Sequence, residues 1–301
     1  KNAGLQEVIT GIHIIHEGYN LTEEEYHKKL LRNLPLLKKM ADENKHDSYA
    51  HYTLAQNYSG LKKYEEAVKH FKIALATTSL GNSLKMNILN VMSQAYSHLG
   101  EWELSKKYSL QSIEINPIQS GAFYMLYKCA EQDNDIKQAI EYLNILLQNT
   151  KKLNANPQSV GRDILISEQK IIKILGNSYA KIGNRKKSLE LFSTLEEKEM
   201  SKPLLLKIIQ LPENESEWKL LIIILQNILS HNKYAEVEIY DILGQTYIKT
   251  NQIQKALDLY LKLYDDDEFN KIVLKRIAAL YAKLGDIKKA EYFIAKMNKL
   301  N

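Results

Sequence analysis

The sequence predicts an all-α chain built from stacked helix-turn-helix units. Three observations carry this: a beat of 34 residues, small residues recurring at fixed slots, and only 12 glycines and 5 prolines in 301 residues. Four segments overlay on one another, Tyr64 to Ala74 and the stretches around Ala139, Ala256 and Ala290. Partner helices read Leu54-Ala55-Gln56-Asn57-Tyr58, Leu175-Gly176-Asn177-Ser178-Tyr179 and Leu243-Gly244-Gln245-Thr246-Tyr247. A helix pair of this kind cannot bury its apolar face alone, so the stack is the folding unit.

The small residues of the second helices are Ala67, Ser105, Ala139, Ser188, Ala256 and Ala290, with spacings of 38, 34, 49, 68 and 34. The value 68 is two periods and predicts a degenerate unit between residues 203 and 236. The values 38 and 49 predict insertions at Thr77 to Ser83 and at Lys151 to Asp163. Ala55, Gly176 and Gly244 let the second helix of a pair approach closely. Tyr58, Phe71, Tyr96, Phe192 and Tyr260 fill the space between units. Gly100, Gly183 and Gly285 are expected to end first helices in the left-handed region. Pro117 stands just past a second helix, which it cannot continue. This pattern resembles the tetratricopeptide repeat. The resemblance implies a right-handed superhelical solenoid over residues 21–301, with six repeats and one degenerate unit.

Ahead of the first repeat, Thr22 and Glu25 form a capping-box signature for a helix from Glu23 to about Asn44. Leu30, Leu31, Leu34, Leu37 and Met40 give it an apolar stripe, and Pro35 is expected to kink it. In the degenerate unit Pro203 and Pro212 mark the edges. The helix from Trp218 to Leu229 is apolar enough to be buried on most sides.

Hydrophobic residues make up 45% and charged residues 26%, the composition of a folded, soluble chain. The net charge of +5 is spread along the sequence, which argues against a nucleic-acid binder. The longest apolar run, Leu220 to Leu225, is far short of a membrane span. The single cysteine, Cys129, excludes a disulfide framework and reads as a buried thiol. No secretory signal is visible, and a cytoplasmic location is expected. The chain begins at Lys1 without methionine, so a processed product or a fragment is expected.

Residues 1–20 stand outside the repeat. Glu7 to His16 is rich in β-branched residues without helical period and is expected to form a strand. Such a strand has no partner in an all-helical chain, which points to a remnant of an upstream domain. The segment His16-Glu17-Gly18-Tyr19-Asn20, a helix with Arg32-Asn33-Leu34, then Asp47 and a first repeat resembles the junction in bacterial family 2 glycosyltransferases with a C-terminal tetratricopeptide region. The likeness covers residues 8 to 75 by motif. It implies that a nucleotide-sugar domain, with a divalent metal, would precede this chain. That domain is absent here, and Lys45-His46 stands where the family usually has proline.

No catalytic constellation emerges. Asp133-Asn134-Asp135 and Asp265-Asp266-Asp267-Glu268 contain paired carboxylates, but at helix ends or turns, where solvated acids are ordinary. His13 and His16 would lie on opposite faces of a strand and could not share one metal. His16 could contribute to an upstream site or simply end the strand. His46 and His51 lack ligand-spaced neighbours and read as surface residues. No cofactor is expected for this chain.

Binding is the expected business. In this repeat the first helices line the groove, and their inward slots are Tyr49, Tyr52 and Gln56, then Asn87, Asn90, Gln94 and His98, then Tyr124 and Lys128, then Lys170, Lys173, Asn177 and Lys181. Asp241, Gln245, Lys249, Lys275 and Lys283 continue the series. Amides suit an extended peptide backbone, and lysines suit an acidic partner. Plain solvation is the alternative for all of them. The expected role is protein or peptide binding: acceptor recognition for a glycosyltransferase, self-association, or both. A peptide-sensing regulator and a free-standing assembly scaffold are the rival readings.

Overall fold

The computed structural model describes residues 21–76, 80–155, 166–230, 237–266 and 270–300. Among these residues there are fifteen α-helices and no strand. The strand expected at Glu7 to His16 lies outside the described residues. The chain divides into two compact units, residues 1–115 and 116–301.

The first unit begins with α1 (Glu23–Glu43), followed by α2 (Ser48–Gly60), α3 (Tyr64–Leu75), α4 (Asn82–His98) and α5 (Trp102–Ile115). The capping box forms as expected, with Thr22 and Glu25 exchanging side-chain and backbone bonds. Pro35 does not interrupt α1. It sits on the exposed side, where water can serve the carbonyl that the missing N–H leaves without a partner. Asp47 caps α2, its Oδ1 accepting from the Tyr49 and Ala50 amides. The core of this unit gathers Leu54, Ala55, Ala67, Phe71, Ile88 and Met92, each at most 1% exposed.

The second unit continues with α6 (Gly121–Gln132), α7 (Ile136–Ala155), α8 (Glu168–Lys181), α9 (Arg185–Phe192), α10 (Lys202–Ile209), α11 (Glu215–Ser230), α12 (Val237–Lys249), α13 (Ile253–Asp266), α14 (Lys271–Lys283) and α15 (Ile287–Asn298). The insertion expected at Lys151 to Asp163 is partly helix, because α7 runs on to Ala155. The degenerate pair is α10 and α11. Pro203 sits in the first turn of α10, where its missing N–H costs nothing. In α11 Leu221, Ile222, Ile224, Leu225, Ile228 and Leu229 are buried, while Ile223 stays 45% exposed.

Six of the turns within helix pairs share one geometry. The residue two beyond each first helix is left-handed: Lys62, Gly100, Asn134, Gly183, Asn251 and Gly285, with φ between 57° and 85°. The next residue donates its N–H five residues back, as in Lys63 to the Tyr58 carbonyl at 2.9 Å and Gln252 to the Tyr247 carbonyl at 2.8 Å. This is the Schellman closure, which satisfies carbonyls at the helix end. The turn between α10 and α11, with Pro212, does not repeat it.

Close approach of paired helices follows from missing side chains. A Cβ on Gly176 would lie 2.6 Å from the Phe192 ring, and one on Gly244 would lie 2.4 Å from Tyr260. The second pair uses hydroxyls instead. Ser93 Oγ bonds the Ser105 carbonyl at 2.8 Å and lies 2.7 Å from Ser109 Oγ, all three residues fully buried.

Candidate functional site

The first unit holds a cavity of about 530 Å³. Its lining comes from four helices: Tyr26, Lys29, Leu30 and Leu37 of α1, Thr53, Gln56, Asn57, Ser59 and Gly60 of α2, Tyr64 and Phe71 of α3, and Val91, Gln94, Ala95 and His98 of α4. Among the described residues no carboxylate lines it. Gln56 donates to the Tyr52 hydroxyl at 2.7 Å, which fixes its amide on the rim. His98 stacks on Tyr64 with centroids 4.4 Å apart.

Of the inward slots expected in this unit, Gln56, Gln94 and His98 reach the cavity. Tyr49 is 60% exposed, and Tyr52 leans on Phe71 with centroids 6.3 Å apart. Asn87 is half-buried on α4. Asn90 is only 3% exposed and faces the packing between helices instead of a groove. The α4 face that meets the cavity carries Val91, Gln94 and His98, a spacing of three and four residues, and Asn90 falls beside that stripe. Thr53, Asn57 and Ser59 are cavity residues that the sequence reading passes over. Asn57 could have been suspected from its i, i+4 relation to Thr53 on the same face.

His51 corrects the sequence reading. It is 5% exposed, not a surface residue, because the face it occupies is covered by α3. Its Nδ1 lies 3.0 Å from Nδ1 of His70, and its Nε2 lies 3.1 Å from the Lys45 carbonyl. A carbonyl only accepts, so Nε2 of His51 carries the proton and Nδ1 accepts from His70. His46 is exposed, as expected.

The second unit holds a separate cavity of about 560 Å³ against α6, α8, α9 and α10. Asn177 and Lys181 line it, beside Tyr127, Glu131, Phe192 and Lys207. Asn177 donates to the Lys173 carbonyl at 2.9 Å. Tyr124 packs near Tyr127, with centroids 5.8 Å apart. Lys128 pairs with Glu131 at 2.8 Å, and Lys173 with Glu199 at 3.3 Å. Lys170 is exposed on the first turn of α8. The lysine-rich half is therefore partly neutralised from within. Burial raises the Glu131 carboxyl, but hydrogen bonds from Lys128 and Tyr127 outweigh it and hold the group below its ordinary range. Burial and the neighbouring Glu131 push the Tyr127 hydroxyl well above its ordinary range.

The first acidic run holds a turn, while Asp265 and Asp266 end α13 and Asp267 and Glu268 lie outside the described residues. Asn134 is the left-handed residue between α6 and α7, and Asp135 caps the Gln138 amide at 3.0 Å. Among the described residues no group of three histidine, cysteine or acidic side chains could hold a metal ion. Among them, too, no helix is long and apolar enough to cross a membrane.

The helix pair α2–α3, with its Schellman turn and its Ala55, Ala67 and Phe71 core, decides the family of this segment. Residues 48–76 match the tetratricopeptide repeat. Beyond that segment the described residues are all-helical and pair into antiparallel helices in the same manner. No curated protein sequence matches it. Among solved structures it is similar to a tetratricopeptide repeat protein from Parabacteroides merdae, at 13% identity over 84% of this chain and 93% of that one, with a TM-score of 0.44. It is also similar to BtubC from P. vanneervenii, at 14% identity over 93% and 91% of the two chains, with a TM-score of 0.43.

Proposed function

We propose that this chain is a peptide-binding tetratricopeptide module whose first unit receives the peptide in the cavity lined by α1, α2, α3 and α4. The observation that carries the reading is the convergence of Gln56, Gln94 and His98 on one cavity of about 530 Å³ with an apolar floor of Leu30, Leu37, Phe71 and Val91. Polar groups that fix orientation around an apolar floor are the usual make-up of a ligand site. Side-chain amides both donate and accept, so they pair with peptide groups whatever the sequence. A displayed library of random short peptides, selected on the purified chain, tests this. Enriched peptides should share a motif and lose about tenfold or more in affinity to the Gln56→Ala, Gln94→Ala double variant. No enrichment, or binding indifferent to that variant, refutes the reading.

The order of His16-Glu17-Gly18-Tyr19, Arg32-Asn33 and the first repeat favours a finer reading, in which the bound peptide is the acceptor of a family 2 glycosyltransferase domain. Sequencing upstream of Lys1 tests it, and an open reading frame without a nucleotide-sugar domain rejects it. Self-association and a free-standing scaffold are the outcomes left if that domain is missing.

A further inference from the structure

We infer that the second unit's cavity against α6, α8 and α10 binds an acidic segment of a partner polypeptide, with Lys181 and Lys207 holding the carboxylate of one glutamate or aspartate side chain. This site is separate from the first unit's cavity and does not rest on the peptide reading given there.

Three first helices contribute to the lining. Tyr127 and Glu131 stand four residues apart on α6, Asn177 and Lys181 four apart on α8, and Lys207 on α10 comes four before Leu211. Residues four apart share a helix face, so α6 and α8 each turn one stripe to the same cavity. Ile174, Phe192 and Leu211 give it an apolar wall.

The charges in this lining do not cancel. Its carboxylate, Glu131, is already matched by the Lys128 ammonium at 2.8 Å and by the Tyr127 hydroxyl at 3.0 Å. Lys181 and Lys207 make no ion pair among the described residues. Two ammonium groups from two helices therefore line one cavity without a bonded anion, and a cleft of one sign draws in the opposite charge. Lysine only donates, and a carboxylate offers two accepting oxygens. Glu131 stays ionised and repels a phosphate dianion about twice as strongly as a carboxylate, which favours the carboxylate. The Asn177 amide is held by the Lys173 carbonyl at 2.9 Å and keeps a donor and an acceptor for the backbone beside the acidic residue. The apolar wall suits apolar neighbours of that residue.

The test titrates the full chain with acetyl-Ala-Leu-Glu-Leu-Ala-amide and follows the backbone NMR signals of Asn177, Lys181 and Lys207. Three further probes carry glutamine in place of the glutamate, glutamine with a free C-terminal carboxylate, or phosphoserine. The glutamate probe should shift these signals saturably. Both glutamine probes should bind about tenfold or more weakly, and phosphoserine no more tightly than glutamate. Lys181→Gln with Lys207→Gln should lose the same factor at unchanged Tm, because both side chains are exposed. Lys181→Arg with Lys207→Arg should keep binding. Lys152→Gln with Lys170→Gln removes equal charge from exposed positions outside the cavity and should change affinity by about twofold or less at about 0.15 M salt. Equal losses in the two glutamine variants overturn the inference, since the attraction then belongs to the whole surface. Equal binding of the glutamate and capped glutamine probes overturns it, as does an arginine variant that loses as much as the cavity glutamine variant. A preference for phosphoserine or for the free C-terminus reassigns the anion and rejects the side-chain carboxylate. Shifts confined to Gln56, Gln94 and His98 reject this site while supporting the first unit's cavity as the peptide site.

Discussion

Arg276 on α14 grips Asp241 on α12 at two points, Nε to Oδ1 at 2.8 Å and Nη2 to Oδ2 at 3.0 Å. Tyr260 on α13 donates to the same carboxylate at 2.7 Å, so three consecutive helices meet at one anion. Arg276→Ala leaves the carboxylate short of its strongest partner and should cost about 1–3 kcal/mol of stability in chemical denaturation. Gln245→Ala, which removes one weaker donor, should cost less.

The same carboxylate sets an acid limit. Burial raises its pKa, but the bonds from Arg276, Tyr260 and Gln245 outweigh burial and leave it below the ordinary value. A depressed carboxylate stabilises the fold above its unfolded pKa, about 3.9, and that stability is lost as pH falls through the folded value. Between neutral pH and about pH 4 its contribution is flat; below that, the parent should lose stability more steeply than Asp241→Asn. Parallel acid titrations of the two proteins would contradict this.

A second acid response comes from the first unit. Burial first, then the neighbouring His51, lowers the pKa of His70, with Lys38 and Lys69 acting in the same direction and Asp42 against them. The folded ring is neutral where an unfolded histidine begins to protonate. Stability is therefore complete above about pH 6.5 and declines as pH falls toward the folded value. His70→Gln should flatten the slope of Tm between pH 7 and pH 5 (roughly the histidine range).

Lys62 occupies the left-handed turn position that Gly100, Gly183 and Gly285 fill in other pairs. A side chain there costs about 1–2 kcal/mol. Lys62→Gly should stabilise the first unit by about 0.5–1 kcal/mol after the added chain entropy of glycine is subtracted. Gly183→Ala should do the reverse in the second unit. Opposite signs in thermal unfolding of the two variants are the expected result.

Gly244→Ala pits helix propensity, worth about 1 kcal/mol to alanine, against overpacking of about 1–3 kcal/mol. The new methyl would sit 2.4 Å from Tyr260, whose ring is fully buried and whose hydroxyl is tied to Asp241. Overpacking should win, and Tm should fall.

Much of this fold could be read from spacing. Small residues at Gly176 and Gly244 announced the close helix contacts because only one distance in the repeat demands them. Gly100, Gly183 and Gly285 announced their turns, whereas Lys62, Asn134 and Asn251 did not, since their left-handed backbone is imposed by the hydrogen bonds around it. The site was less legible. A fixed inward spacing placed Asn90 in the groove and missed Asn57, because which stripe of a helix meets a cavity depends on how its neighbours rotate against it. His51 looked solvated for the same reason: its partner, His70, lies nineteen positions away on another helix.

Cys129 is the chain's single cysteine and is 2% exposed in the middle of α6. The protein thus carries its own clock for opening. A thiol reagent can reach that sulfur only when α6 lifts from its neighbours, so the alkylation rate under native conditions counts those excursions. Slower labelling when a ligand occupies the cavity beside Tyr127 and Glu131 would report binding to the second unit without any added probe.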